Sequence, residues 1–96
     1  MFAIAVRFDL PDEGAAAAFD DLVARTVPGI LAEEPGTLTY VPHRVEGEPL
    51  ARLFYEEYTD RDAHAAHEAR PATAEFLRRV RELVTSVRAE LLSPLR

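Results

Sequence analysis

Ninety-six residues, 48% of them apolar, are enough for one domain spanning residues 1–96 with little surplus core, so help from a partner subunit is expected. The net charge of −6 is concentrated in residues 1–48, which carry nine acids and three arginines, while residues 49–96 carry eight of each; this argues against a nucleic-acid partner. Without cysteine there is no disulfide, thiolate nucleophile or zinc–thiolate site, and without lysine, asparagine, glutamine or tryptophan there is no Schiff-base lysine, phosphate-loop lysine or side-chain amide to hold an oxyanion.

The chain opens with alternation: Phe2, Ile4, Val6 and Phe8 against Ala3, Ala5, Arg7 and Asp9, a strand with one strongly apolar face. Its N-terminus lacks the basic start and apolar length of a signal peptide. No apolar run reaches the roughly 20 residues of a membrane span, and a cytoplasmic location without membrane contact is expected. From Glu13 to Glu33, Phe19, Leu22, Val23, Thr26, Val27, Ile30 and Leu31 recur at helical spacing. Pro28 followed by Gly29 should kink or restart the last turn, and Glu34-Pro35-Gly36 closes the element. Thr37–Arg44 reads as a second strand with Leu38 and Tyr40 on one face and Thr39, Val41 and His43 on the other. A polar connection centred on Gly47 leads to a third strand, Leu50–Tyr58, which should pair with the second antiparallel.

That third strand places ionisable groups beside a core. Leu53, Phe54, Tyr55 and Tyr58 are strand formers, whereas Glu56 and Glu57 point to opposite faces, so one carboxylate must face inward. Thr59, with Asp62 three residues on, resembles a capping box and starts a short helix, Asp60 to about Glu68. His64 and His67 share one of its faces. Arg70-Pro71 breaks the pattern, and Phe76, Leu77, Val80, Leu83 and Val84 mark another amphipathic helix. Its basic cluster, Arg78, Arg79 and Arg81, interleaves with Glu75 and Glu82 as a solvated face. Val87–Leu92 forms the last strand, ended by Pro94. The order fits an α+β, ferredoxin-like split β-α-β fold with a four-stranded antiparallel sheet and helices on one face. The other face, apolar in part, calls for a second subunit and hence a homodimer.

Glu34-Pro35-Gly36 with Leu38 and Tyr40, then Glu56, Tyr58, Asp60, Ala63 and His67, supply E-P-G followed by E-x-Y-x-D-x-x-A-x-x-x-H. In this pattern, and over nearly its whole length, the chain resembles the antibiotic biosynthesis monooxygenase domain family. The resemblance implies a dimeric α+β barrel with a pocket between sheet and helices. Family members include cofactor-independent oxygenases that turn phenolic polycycles into quinones, haem-degrading enzymes and isomerases of small metabolites. The quinone-forming and haem-degrading types use pocket asparagine and tryptophan, and this chain has neither.

His67 is the foremost candidate base for a phenolic or carbon-bound proton; the other reading is a helix histidine bonded to a carboxylate or carbonyl. Glu56 would orient His67 or pair with Arg52, its same-face neighbour four positions away. Tyr58 and Tyr40 could donate to a substrate oxygen or fill core, and Arg52 could steady an oxyanion. Phe54 and His64 complete the expected pocket wall, His64 more as packing at its rim. No metal is expected, because His64 and His67 lack the usual i, i+4 spacing and a third ligand. The expected activity is a cofactor-free oxidation by O2 of an electron-rich aromatic or polyketide-like molecule. The alternatives are a non-catalytic ligand-binding module and an isomerase or lyase of a small oxygenated metabolite.

Overall fold

The computed structural model describes residues 1–95. Seven elements follow the expected order: β1 (Phe2–Asp9), α1 (Glu13–Glu33), β2 (Thr37–Val45), β3 (Glu48–Tyr58), α2 (Arg61–Ala69), α3 (Pro71–Leu83) and β4 (Ser86–Leu92). The strands form one antiparallel sheet in the order β2-β3-β1-β4, the ferredoxin-like arrangement. Both central strands are therefore the ones richest in buried aromatic and aliphatic side chains.

Alternation in β1 directs Phe2, Ile4 and Phe8 toward the helices. In register with them on β3 are Tyr58, Glu56 and Arg52. Phe8, Phe54 and Phe19 of α1 pack with ring centroids 4.8–5.8 Å apart, and Tyr40 meets Phe54 edge-on at 5.7 Å. Phe76 and Val80 of α3 close this core from above. Each fully buried Phe contributes about 1.5–3 kcal/mol relative to exposure, so these rings fix how the helix layer lies on the sheet. A second cluster, Phe2, Ile4 and Tyr58 with Ala63, seats α2 at the opposite end.

Three local expectations change in the fold. The α2 cap is Asp60, whose carboxylate accepts from the Ala63 amide at 2.8 Å, while the Thr59 amide is spent on the Gly36 carbonyl at 3.0 Å. Asp reaches its N3 amide directly, so the box based on Thr59 and Asp62 is not used. Second, Leu38 and Tyr40 do not share a face. The β2–β3 register slips between Thr37 and Thr39, and this bulge turns Thr37 inward with Tyr40 while Leu38 is 52% exposed. Third, α1 does not restart at Pro28; one helix runs from Glu13 to Glu33.

Gly47 occupies positive φ (79°) in the Glu46-Gly47 turn between β2 and β3, which a glycine adopts without strain. Gly36 is needed for proximity: a Cβ there would stand 2.7 Å from Ala63 Cβ. Its absence lets the start of β2 lie against α2. Among the described residues no helix is long and apolar enough to cross a membrane.

Candidate functional site

Where α2 crosses the ends of β2 and β3, Tyr40, Glu56, Tyr58, His67 and Glu34 come together, each at most 7% exposed. His67 gets there because Asp60 fixes the first turn of α2 and His67 lies two turns on, facing the sheet. Its ring lies 5.4 Å from Tyr40 and 5.6 Å from Tyr58 between centroids. Its Nδ1 is 2.7 Å from Glu34 Oε1.

Glu34 is the partner that sequence reasoning missed. It ends α1 and turns its carboxylate back beneath α2, where it also accepts from Thr37 Oγ1 at 2.8 Å and from the Arg70 guanidinium. Burial would raise its pKa, but the hydrogen bonds from Arg70, Thr37 and His67 prevail and hold it below the usual carboxylate range. An ionised carboxylate only accepts, so the His67 proton facing it sits on Nδ1 and the neutral ring offers Nε2 as its acceptor. The signal available in the sequence was Glu34-Pro35-Gly36, but a helix-ending tripeptide gives no hint that its first side chain folds inward.

Glu56 is the inward carboxylate of the Glu56-Glu57 pair; Glu57 faces outward and accepts from Thr39 and Tyr55. Tyr58 Oη donates to Glu56 Oε1 at 2.6 Å. Burial, opposed by this hydrogen bond, pushes Glu56 up to about 7. Glu56 thus titrates near neutrality while Glu34 stays ionised, a separation of two carboxylates suited to acid and base roles. Tyr58 and Tyr40 are pushed up chiefly by burial, with Glu56 adding to it, and remain phenols that can donate.

Glu56 does not orient His67 through a hydrogen bond to Nδ1, since Glu34 holds that atom, nor does it pair with Arg52. Arg52 forms a two-point ion pair with Asp20 of α1 at 2.8 and 3.0 Å and donates to the Pro49 and Ala51 carbonyls. Four strand positions separate it from Glu56, about 13 Å, and it belongs to the far end of the sheet. Phe54 lies in the core between Phe8, Phe19 and Tyr40. His64 lies tilted against Phe2 and edge-on to Tyr58, with ring centroids 5.3 and 4.9 Å apart, and burial lowers its pKa. His43 faces outward against the Leu53 carbonyl. Among the described residues no three His, Asp or Glu side chains assemble as a metal-binding set.

The space between sheet and α2 is filled by these side chains. Access comes from the flank, where a cleft of about 220 Å³ is bordered by Glu34, Gly36, Thr37, Ala63, His67 and Arg70. The opening itself touches the oriented imidazole and Glu34, while Tyr40 and Tyr58 pack against the His67 ring and, with Glu56, do not border it.

No curated protein sequence matches the chain. Similar solved structures include Rv0793 from Mycobacterium tuberculosis, 27% identical, covering 99% of this chain and 95% of that one with a TM-score of 0.84. A variant of SnoaB, a cofactor-independent oxygenase from Streptomyces nogalater, is 21% identical over 99% of this chain and 93% of its own, with a TM-score of 0.84. PA3566 from Pseudomonas aeruginosa is likewise 21% identical, over 99% and 94%, with a TM-score of 0.82. A family profile for antibiotic biosynthesis monooxygenases matches residues 1–79, and with that match, on this fold, the chain belongs to the antibiotic biosynthesis monooxygenase family.

Proposed function

We propose that this protein is an oxygenase that needs no bound cofactor and oxidises a small electron-rich aromatic or polyketide-like molecule with O2. The observation that carries the reading is the buried Glu34–His67 pair bordering the cleft. Ionised Glu34 fixes the tautomer and stabilises the imidazolium, so His67 Nε2 removes a proton from a CH2 group activated by flanking phenol or carbonyl groups. The resulting anion gives an electron to O2, the radicals join as a hydroperoxide, and loss of water leaves a carbonyl. Overall, CH2 and O2 become C=O and H2O, and the proton held by His67 leaves with the water. Tyr40, whose hydroxyl is not spent on another side chain among the described residues, stabilises negative charge developing on the substrate oxygen; Tyr58, which gives its proton to Glu56, and Arg52, engaged by Asp20, are left out of the step.

A homodimer is part of this reading. The sheet face away from the helices carries Leu53 and Tyr55, with Val41 42% exposed and Leu38 beside it, and a second copy would cover it. Action in the cytoplasm is likewise part of it, in keeping with a chain that has no cysteine.

The size of the cleft favours one competing reading. At about 220 Å³ it falls below the roughly 300–1,000 Å³ of ordinary ligand pockets, which suits an isomerase or lyase acting on a small oxygenated metabolite with the same histidine. Oxygen uptake and product masses with a panel of anthrones, hydroquinones and catechols separate the two. The oxygenase reading expects uptake that falls by at least about 100-fold in His67→Ala while the variant stays folded. Turnover that persists without oxygen, or uptake unchanged in His67→Ala, would overturn it.

A further inference from the structure

A second concavity, about 360 Å³, lies between α1 and α3 on the outer side of the helix layer. Its floor is apolar, with Leu22, Ile30 and Phe76, and its rim is cationic, with Arg25, Arg70 and Arg79. Two of these charges are already met, Arg25 by Asp21 and Arg70 by Glu33 and Glu34. The two acids on the rim are already engaged, Glu33 by Arg70 and Glu75 by Arg78. Arg79 has no ion-pair partner among the described residues.

The N-terminus of α3 opens onto the same groove. Ala72 and Thr73 line it, the helix has no side-chain cap and no acid in its first turn, and Pro71 has no amide proton to offer. Unpaired amides and the positive end of a 13-residue helix favour an anion there. Thr73 supplies an independent sign. It is fully buried, and its Oγ1 is the one buried side-chain oxygen or nitrogen without a partner among the described residues. An unsatisfied hydroxyl beside unsatisfied amides costs stability unless something completes them.

We infer that this groove binds a small aromatic carboxylate, with its carboxylate at the first turn of α3 near Arg79 and its ring on Leu22, Ile30 and Phe76. The volume lies within the ordinary range for small-molecule sites. The inference is independent of the oxygenase reading, because the groove shares only Glu33 and Arg70 with the His67 cleft.

The test is a titration of the full chain with 2-naphthoate and, separately, 2-naphthamide, followed by amide chemical shifts. Naphthoate should move the Ala72 and Thr73 amides and bind about tenfold or more tightly than the uncharged amide. Arg79→Glu, at an exposed position, should weaken naphthoate by a similar factor. Gly29→Leu projects into the groove, and a Cβ at Gly29 meets nothing within 4 Å, so the variant should fold and lose binding. Thr73→Val should weaken naphthoate without loss of folding. His67→Ala should leave binding unchanged, which separates this site from the cleft. Equal affinity for naphthoate and naphthamide, binding that survives both Gly29→Leu and Arg79→Glu, or no binding at all would overturn the inference.

Discussion

Replacing Glu56 with Gln should make the protein more stable, by an amount set by pH. Glu56 is 5% exposed, and burial pushes its pKa up to about 7 from an ordinary value of 4.5. The folded state therefore binds this proton more tightly than the unfolded chain between those two values. Stability from Glu56 is fully present below about pH 4.5, declines as pH rises and is lost above about 7. A difference of about 2.5 units at 1.36 kcal/mol each amounts to about 3 kcal/mol. Glutamine carries no charge and its Oε1 still accepts from Tyr58, so Glu56→Gln should match wild type near pH 4.5 and exceed it by about 3 kcal/mol at pH 8. For a chain of this length the gain at pH 8 is on the order of 10 °C or more in Tm. Urea unfolding of both proteins from pH 4.5 to 8 is the assay. His64, whose pKa burial lowers, gives a slope of opposite sign below its ordinary 6.5, but that slope is common to both proteins and cancels in their difference. Parallel stability curves, or a variant less stable than wild type at pH 8, would refute the assignment of Glu56 as a buried acid near its titration point.

Glu34→Ala should cost about 2–4 kcal/mol, since it leaves the buried His67 Nδ1 and Thr37 hydroxyl without their acceptor and Arg70 with Glu33 alone; wild-type thermal stability would contradict the role given to that carboxylate. In wild type, Glu34 has a depressed pKa, so its contribution is present above the ordinary carboxylate value and disappears as pH falls through the folded one, a loss that Glu34→Ala should not show. Gly36→Ala places a Cβ 2.7 Å from Ala63 Cβ and should cost about 1–3 kcal/mol through overpacking, with amide exchange quickening first in α2. Asp60→Ala removes the α2 cap at the Ala63 amide and should cost about 1 kcal/mol; Thr59→Ala, measured beside it, should cost less, and the reverse order would restore Thr59 as the cap.

The elements themselves were legible in the sequence. Strict alternation in Phe2–Phe8 and helical spacing from Phe19 to Leu31 are local patterns with a single period each, and the strands and helices appear where those periods place them. The Glu56-Glu57 pair was legible for the same reason: period two obliges one of two adjacent carboxylates to face inward. Leu38 was misplaced because a bulge adds a residue to one strand only, a fact of register with the partner strand that no pattern within β2 records.

The partners of the buried charges depended on longer distances. Arg52 and Glu56 share a face, yet Arg52 finds Asp20, 32 residues away, and His67 finds Glu34, 33 residues away. Sequence alone determined the periodicities, that one of two adjacent carboxylates faces inward and that His64 and His67 share a face of α2, because these follow from backbone geometry over a few residues. Which charge meets which, how wide the cleft is and where the arginine-rimmed groove lies were decided only when α1, α2 and α3 packed together on one sheet, since desolvation and hydrogen bonding depend on neighbours the chain brings together from afar.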